Sequence, residues 1–409
     1  MEPGLSAAME HFDFIIIGGG ASGLLLAEAM GRDTWFDGKR IALFEKQEQK
    51  GNDRTWCFWE SGEGAFDELI ETRWDRMRFR GTGIDRVLPL LPLTYKMLRG
   101  EDFYASYYQK IATCPNIHVI REAVNHVEER PDGAFLKTSR ASYTTSRVFS
   151  SVPFSQPPLP GRPYPLIRQH FIGWRVRVPR PVFDPDTPTF MDFGIPQRGN
   201  TRFMYVLPDS PTEALLEYTL FSKDLLEPGE YEAAIEAYLR EEYGVGEYEI
   251  LEKERGSIPM TCNDFTARDS KHITHIGIAG GWARPSTGYT FWNSTQLVPR
   301  LVKALKSGKR LQMARRDRFW FYDLVLLEVL AGNNARGGEV FSALFRRVPP
   351  TRILRFLHQQ TSLGEDLRII AACPKRLFIR ALWRSFLKSL GGAATPQNRA
   401  APPWPGGFR

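Results

Sequence analysis

With 409 residues, 42% of them hydrophobic and 25% charged, the chain has ample length for two or three substructures and is too apolar to be disordered. Four widely separated cysteines form no C-x-x-C pair, and seven scattered histidines give no ligand set; no metal is expected, and a reducing compartment fits. The net charge of +7 is unevenly placed, because Val298 to Leu390 carries 19 Lys and Arg against 6 Asp and Glu. That basic region lacks a nucleic-acid motif, which leaves an anionic membrane surface or a solvated face as its use.

No run of ~18 apolar residues is present, so no transmembrane span is expected. The first twelve residues lack the basic and apolar regions of a signal peptide, which predicts a cytoplasmic chain.

In chain order, the first signal is the uncharged run Phe14 to Ile17, which reads as a buried strand. Gly18, Gly20 and Gly23 follow as G-x-G-x-x-G, with Ala21 and Ser22 inside the motif, and Leu24 to Met30 continues as a helix. Strand, glycine turn and helix in this order form the dinucleotide fingerprint, in which helix N–H groups meet a pyrophosphate. Arg40 to Lys46 reads as the next parallel strand. Its Glu45 lies 22 positions after Gly23, close to the roughly 20 expected for a carboxylate on a ribose hydroxyl.

Asn52-Asp53-Arg54-Thr55-Trp56-Cys57-Phe58-Trp59 is a loop with an Asp-Arg pair followed by aromatic residues. Arg54 is suited to a phosphate, although a surface turn with a packed Trp explains the same residues. Glu101 to Ile111 reads as a helix. Asn116 to Glu128 and Ala134 to Val152 read as strands around Pro131-Asp132-Gly133. Six prolines between Ser151 and Pro165 mark a linker.

An antiparallel sheet is predicted next, from His170 to Val178, Thr189 to Phe193, Arg202 to Leu207 and Glu213 to Phe221. A helix over Tyr231 to Tyr243 and a strand over Tyr248 to Ile258 complete it. In Glu213 to Phe221, alternation puts Leu215, Glu217, Thr219 and Phe221 on one face. Both faces are largely apolar, so Glu217 either lines a cavity, with a raised pKa suited to proton transfer, or sits at a sheet edge paired with an Arg such as Arg202. Asp192 carries the same alternatives. Ile276 to Phe291 reads as a buried strand, a second glycine turn holding Gly280 and Gly281, and a helix start near Gly288. Two glycine turns suit a long cofactor with a pyrophosphate and a ring system, which favours FAD over a nicotinamide alone.

Arg315 to Leu390 reads as mostly helical. Its last helix sets Arg376, Arg380, Arg384 and Lys388 on one stripe and Ile379, Leu382, Trp383, Phe386 and Leu390 on another. This suits either an interfacial helix or one docked on the core. Gly391 to Arg409 is rich in Pro, Gly and Ala and is expected to be disordered. The predicted organisation is a first cofactor part over 1–160, a β-rich substrate part over 161–258, a second cofactor part over 259–310, and helices over 311–390.

Three stretches together resemble one family: the N-terminal glycine unit, Asn52 to Trp59, and Arg284-Pro285-Ser286-Thr287-Gly288-Tyr289-Thr290-Phe291. The chain resembles the flavin-dependent lycopene β-cyclases of bacteria and plants. Tyr95, Gln169-His170-Phe171, Gly173-Trp174, Gly256, Ile258-Pro259-Met260 and Phe321-Tyr322-Asp323 agree with it. The resemblance implies an α/β fold with a Rossmann-like FAD-binding domain of the glutathione-reductase type, as in aromatic hydroxylases, and an inserted antiparallel sheet. It implies cofactor contacts from Gly18, Gly20, Ala21, Ser22, Gly23, Glu45, Lys46 and Arg54, and from Gly280, Gly281 and Gly288. The second glycine turn lacks the Asp usual in the hydroxylases, which argues for a cyclase.

The implied reaction is a non-redox cyclisation of the ends of lycopene, or of a related linear carotene, to β-ionone rings. Reduced FAD would be the cofactor, NADPH its reductant and Glu217 the proton carrier. The implied partners are the membrane surface and other carotenoid-pathway enzymes, with the chain peripheral to the membrane. An FAD monooxygenase or reductase acting on a prenyl lipid is the alternative.

Overall fold

A computed structural model describes residues 9–152, 164–309 and 317–390. Most of the proline-rich linker and the whole of the tail 391–409 lie outside the described residues.

The uncharged run at the start forms the centre of the first sheet. Glu10–Ile17 lies between Ile41–Phe44 and Ser142–Ser150, parallel to both. Ile117–Ile120 adds in parallel beyond Ile41–Phe44, and Ile273–His275 pairs in parallel with Ser142–Ser150. Gly133–Lys137 and His126–Arg130 extend the other edge as antiparallel strands. The two long strands expected here therefore each divide. The Thr138 hydroxyl accepts from the N–H groups of Arg140 (3.2 Å) and Ala141 (3.0 Å), which closes the tight turn between Gly133–Lys137 and Ser142–Ser150. Helix Ala21–Arg32 covers one face of this sheet, burying Leu24, Leu25, Leu26 and Met30 beside helix Phe291–Lys306.

The second sheet has seven strands in the order Glu249–Thr261, Leu166–Arg177, Glu213–Ser222, Thr201–Pro208, Thr189–Asp192, Arg76–Gly81 and Ile84–Pro89. Only Thr189–Asp192 and Arg76–Gly81 pair in parallel. Alternation along Glu213–Ser222 sorts its side chains as expected. Leu215 and Phe221 join a core with Trp59, Tyr95 and Met191, whereas Leu216, Tyr218 and Leu220 pack on Ile235 and Leu239 of helix Pro228–Tyr243. A three-stranded sheet of Thr55–Ser61, Leu93–Arg99 and Thr72–Trp74 brings Trp59 and Tyr95 to that inner face.

The C-terminal part is helical as predicted: Arg318–Gly332, Gly337–Arg347, Pro350–Leu357, Leu363–Ala372 and Lys375–Leu390. Asp317 caps the first through the N–H of Trp320, and Ser362 with Glu365 forms a capping box on the fourth. Leu327, Leu330, Phe345, Leu354 and Ile369 close over the inner face of the second sheet. Lys375–Leu390 docks through Leu377 and Ala381, and yet Ile379 and Trp383 stay 63% and 62% exposed beside Arg376 and Arg380. Among the described residues no helix is long and apolar enough to cross a membrane.

Candidate functional site

The carboxyl ends of the first-sheet strands border a cavity of about 450 Å³. Gly18 turns the chain at φ +99°, and a Cβ on Gly23 would overlap the carbonyl oxygen of Gly18, so the helix can approach the strand only without a side chain there. No side chain caps the first turn of helix Ala21–Arg32, which leaves its N–H groups available to an anion. Gly18, Gly20, Ala21, Ser22, Glu45, Lys46 and Arg54 all line this cleft. Glu45 accepts from Gly19 N (2.9 Å), Gln47 N (3.0 Å) and Lys50 Nζ (2.9 Å). Burial opposes its ionisation, but Lys50 and these N–H groups hold its carboxyl below the usual range. An uncapped helix terminus, a glycine cradle and a carboxylate at the end of the second strand fit a dinucleotide.

The second glycine turn differs in detail from the sequence reading. The strand stops at His275, the helix starts only at Phe291, and Gly277 and Ile278 line the cleft. Gly280 and Gly281 do not line the cleft: a Cβ on Gly280 would overlap the carbonyl of His275, and Gly281 packs against the Phe265 ring. Gly288, at φ +70°, lies against the Gln169 side chain in an adjoining chamber.

That chamber, of about 190 Å³, shares Arg54, Trp56, Ile278, Thr290 and Phe291 with the cleft. Trp59, Tyr95, Tyr205 and Tyr289 supply aromatic walls, and its lining contains two acids, Glu217 and Glu254. Thr219 Oγ1 donates to Glu217 Oε1 at 2.5 Å. Burial, and then the neighbouring Glu254, push the Glu217 carboxyl well above the usual range. Arg202 does not pair with it, donating instead to Tyr218 (3.1 Å) and Asn200 (2.6 Å). Asp192 lies outside this constellation. Fully buried on the far side of the sheet, it accepts from Tyr238 (2.8 Å) and Gly194 N (2.6 Å), which ties helix Pro228–Tyr243 to the sheet.

A third cavity, of about 180 Å³, continues from the chamber past Tyr205, Thr287 and Tyr289. Its lining is dominated by Phe, Leu, Ile and Val, and it reaches Phe321, Ile370 and Leu382, which are 44%, 40% and 40% exposed. Cleft, acidic chamber and apolar channel thus lie in series.

The sequence runs that set this chain apart hold the chamber together. Asn52 accepts from Gly100 N (2.9 Å), Asp53 accepts from Tyr104 (2.9 Å), and Trp56 stacks on Phe291 at 4.8 Å. Arg284, buried, pairs with Asp323 at 3.1 Å, and Ser286 donates to the same carboxylate at 2.6 Å. The Arg-Pro-Ser-Thr-Gly-Tyr run is thereby fixed to helix Arg318–Gly332. The family model described as lycopene cyclase protein matches residues 13–383. The chain belongs to the lycopene cyclase family.

Within the family, the lycopene beta-cyclase of Pantoea ananas is 24% identical over 91% of this chain and 97% of its own length. That of Paracoccus sp. is 30% identical over 50% of this chain, a match that spans 56% of the relative. Among solved structures, a geranylgeranyl bacteriochlorophyll reductase-like protein of Thermoplasma acidophilum superposes with a TM-score of 0.66 at 14% identity, covering 91% of this chain and 99% of its own. A flavin-dependent brominase gives 0.56 at 14% identity, covering 92% and 100%. These likenesses establish the fold, an α/β flavoprotein type with a Rossmann-like unit.

Several residues of this cyclase-family site escaped the sequence reading. Lys50 followed Glu45 by five positions with no motif to mark it. His358, stacked between Trp59 and Trp292, arrives from just past the end of the distant helix Pro350–Leu357. Glu254 sat in a correctly read strand whose alternation gave no sign of a cavity.

Proposed function

We propose that this chain is a lycopene β-cyclase that uses FAD, reduced by NADPH, to close β-ionone rings on a linear carotene without net redox change. The observation that carries the reading is the position of Glu217: a half-buried carboxyl with a raised pKa, in an aromatic chamber between a dinucleotide cleft and an apolar channel. Gly18, Gly20, Ala21, Ser22, Glu45 and Arg54 would hold the cofactor, with Gly288 nearer the ring end. Reduced flavin would supply a fixed negative charge that favours a developing cation.

The remaining steps belong to the chain's own groups. Glu217 gives its proton to a carbon of the terminal alkene, whose π pair forms the new C–H bond. The next alkene closes the six-membered ring, and loss of a ring proton returns one proton to the site, so atoms and electrons balance. Aromatic faces of Trp59, Tyr95, Tyr205 and Tyr289 favour the cation and exclude water that would trap it. The carotene would come from the membrane through the channel that ends at Phe321, Ile370 and Leu382. The chain would lie on the cytoplasmic face, near other enzymes of the pathway, with Arg376 and Arg380 toward anionic lipid.

The test is pigment analysis after co-expression in cells that accumulate lycopene. Conversion to β- or γ-carotene of unchanged mass is expected, together with loss of product and retention of FAD in E217Q. Untouched lycopene with NADPH consumed in proportion to another product would favour a monooxygenase or reductase instead.

A further inference from the structure

We propose that Glu254 is the positioning partner of Glu217: the two carboxyls share one proton across the central strand, held on Glu217, and this sharing keeps Glu217 an acid at neutral pH. The inference builds on the proposed role of Glu217 and assigns how its protonation is set.

Register brings the two together. In the strand Leu166–Arg177, Gly173 pairs with Glu217 on one side and with Glu254 on the other. A Cβ at Gly173 would stand 3.1 Å from Glu254 Cγ and 3.4 Å from its Oε1, so the missing side chain opens the space through which Glu254 reaches over the strand. The charge of the neighbouring Glu254 opposes ionisation of Glu217, so the pair favours holding one proton between them. Their surroundings decide which one carries it. The Thr55 side chain and the Arg54 and Arg175 charges all favour the ionised form of Glu254. Glu217 has the Thr219 hydroxyl on its own strand and no cation among the groups that act on it. From the facing walls come the Tyr205 phenol and the Cys57 thiol, each raised by burial, while Tyr95, Tyr289, His358 and Arg54 line the rest of the chamber. The negative charge therefore settles on Glu254, near the two arginines, and the proton on Glu217, toward the open chamber.

After Glu217 gives up its proton, two adjacent carboxylates in one chamber repel each other. That repulsion favours return of the ring proton to the pair and leaves Glu217 protonated for the next ring.

Replacing Glu254 by Gln removes the like charge and adds an N–H donor, and both favour ionised Glu217. The basic limb of the rate–pH profile of E254Q should move down by about one pH unit or more, with FAD content unchanged. At a pH above both limbs this gives about a tenfold loss relative to the wild type. E254D, which keeps the charge, should stay near the wild-type profile. Infrared titration supplies a readout independent of activity. A protonated carboxyl band present in the wild type at pH 7.5 should be absent at that pH in E217Q, and in E254Q should persist only at lower pH. A uniform rate loss with an unmoved limb, or a band in E254Q that titrates as in the wild type, would overturn the assignment. Absence of cyclisation in the wild type with the infrared pattern intact would instead reject the cyclase reading alone.

Discussion

Trp59 and His358 lie face to face, their ring centroids 4.5 Å apart and their planes 18° from parallel. Trp292 covers the other face of the imidazole at 4.6 Å and 3°. Burial, and then the Arg284 charge, lower the His358 pKa to about 3, so the ring is neutral wherever the protein functions. It acts as an aromatic spacer in the chamber wall. H358F should keep cyclisation and add no new limb to the pH profile between pH 5 and 8. H358A should lose about 2–3 kcal/mol of stability and admit water. Chromatography of its pigments should then show a hydrated carotene beside the ring product, and its absence would reject the water-excluding role.

The Arg284–Asp323 pair makes a separate prediction about stability. Both side chains are nearly inaccessible, and Ser286 shares the carboxylate. D323A would leave the guanidinium charged and without its carboxylate, at a cost of about 3–5 kcal/mol. Urea unfolding should show this loss, and the double variant R284M/D323L should recover most of it. A double variant as unstable as D323A would mean that the pair does more than neutralise itself.

The two glutamates also make stability depend on pH. Burial raises both carboxyls on folding, Glu254 to about 7 and Glu217 well above its usual range. Above the unfolded value the native state then binds more protons than the unfolded chain, so their contribution is present at low pH and is lost as pH rises toward the folded values. The limiting slope is about 1.4 kcal/mol per pH unit for each group. The melting temperature of E217Q should therefore gain on that of the wild type between pH 5 and 8. A constant difference over that range would show that Glu217 is unperturbed.

Ile379 and Trp383 project from helix Lys375–Leu390 beside arginines, near the mouth of the apolar channel. Binding to anionic liposomes should weaken several-fold on changing Arg376, Arg380, Arg384 and Lys388 to Gln, and should be released by about 0.5 M salt. I379S/W383S should bind weakly even at low salt. Full sedimentation of both variants would place the membrane contact elsewhere.

Local pattern carried much of this far. The uncharged Phe14–Ile17 run, the three glycines and Glu45 place the dinucleotide cleft, because strand, turn and helix are contiguous there. Alternation put Leu215, Glu217 and Phe221 on one face, as the sheet has them. Pairing across the chain was out of reach. Whether Glu217 met Arg202 or a cavity depended on which way Arg202 turned within its own sheet. Asp192 reads like Glu217 in sequence, and its partners Tyr238, from a helix on the opposite face, Gly194 N and Arg80 distinguish them. Gly280 and Gly281 proved to pack the turn itself, a distinction made by backbone overlap that spacing cannot reveal.

The order of strands in the second sheet has a consequence for taking the molecule apart. Arg76–Gly81 and Ile84–Pro89, which end that sheet, precede most of the first sheet in the chain, whereas Glu249–Thr261 at its other end follows all of it but Ile273–His275. The floor of the chamber, Thr55–Ser61, is likewise an early segment. A fragment cut at the proline-rich stretch would leave a sheet without one border and a chamber without Trp56 and Trp59. Grafting this substrate side onto a relative would need at least two exchanged segments. Ring specificity in such hybrids would be inherited as a block from separate stretches of the gene, and single-crossover chimeras would be expected to fail before their chemistry could be assayed.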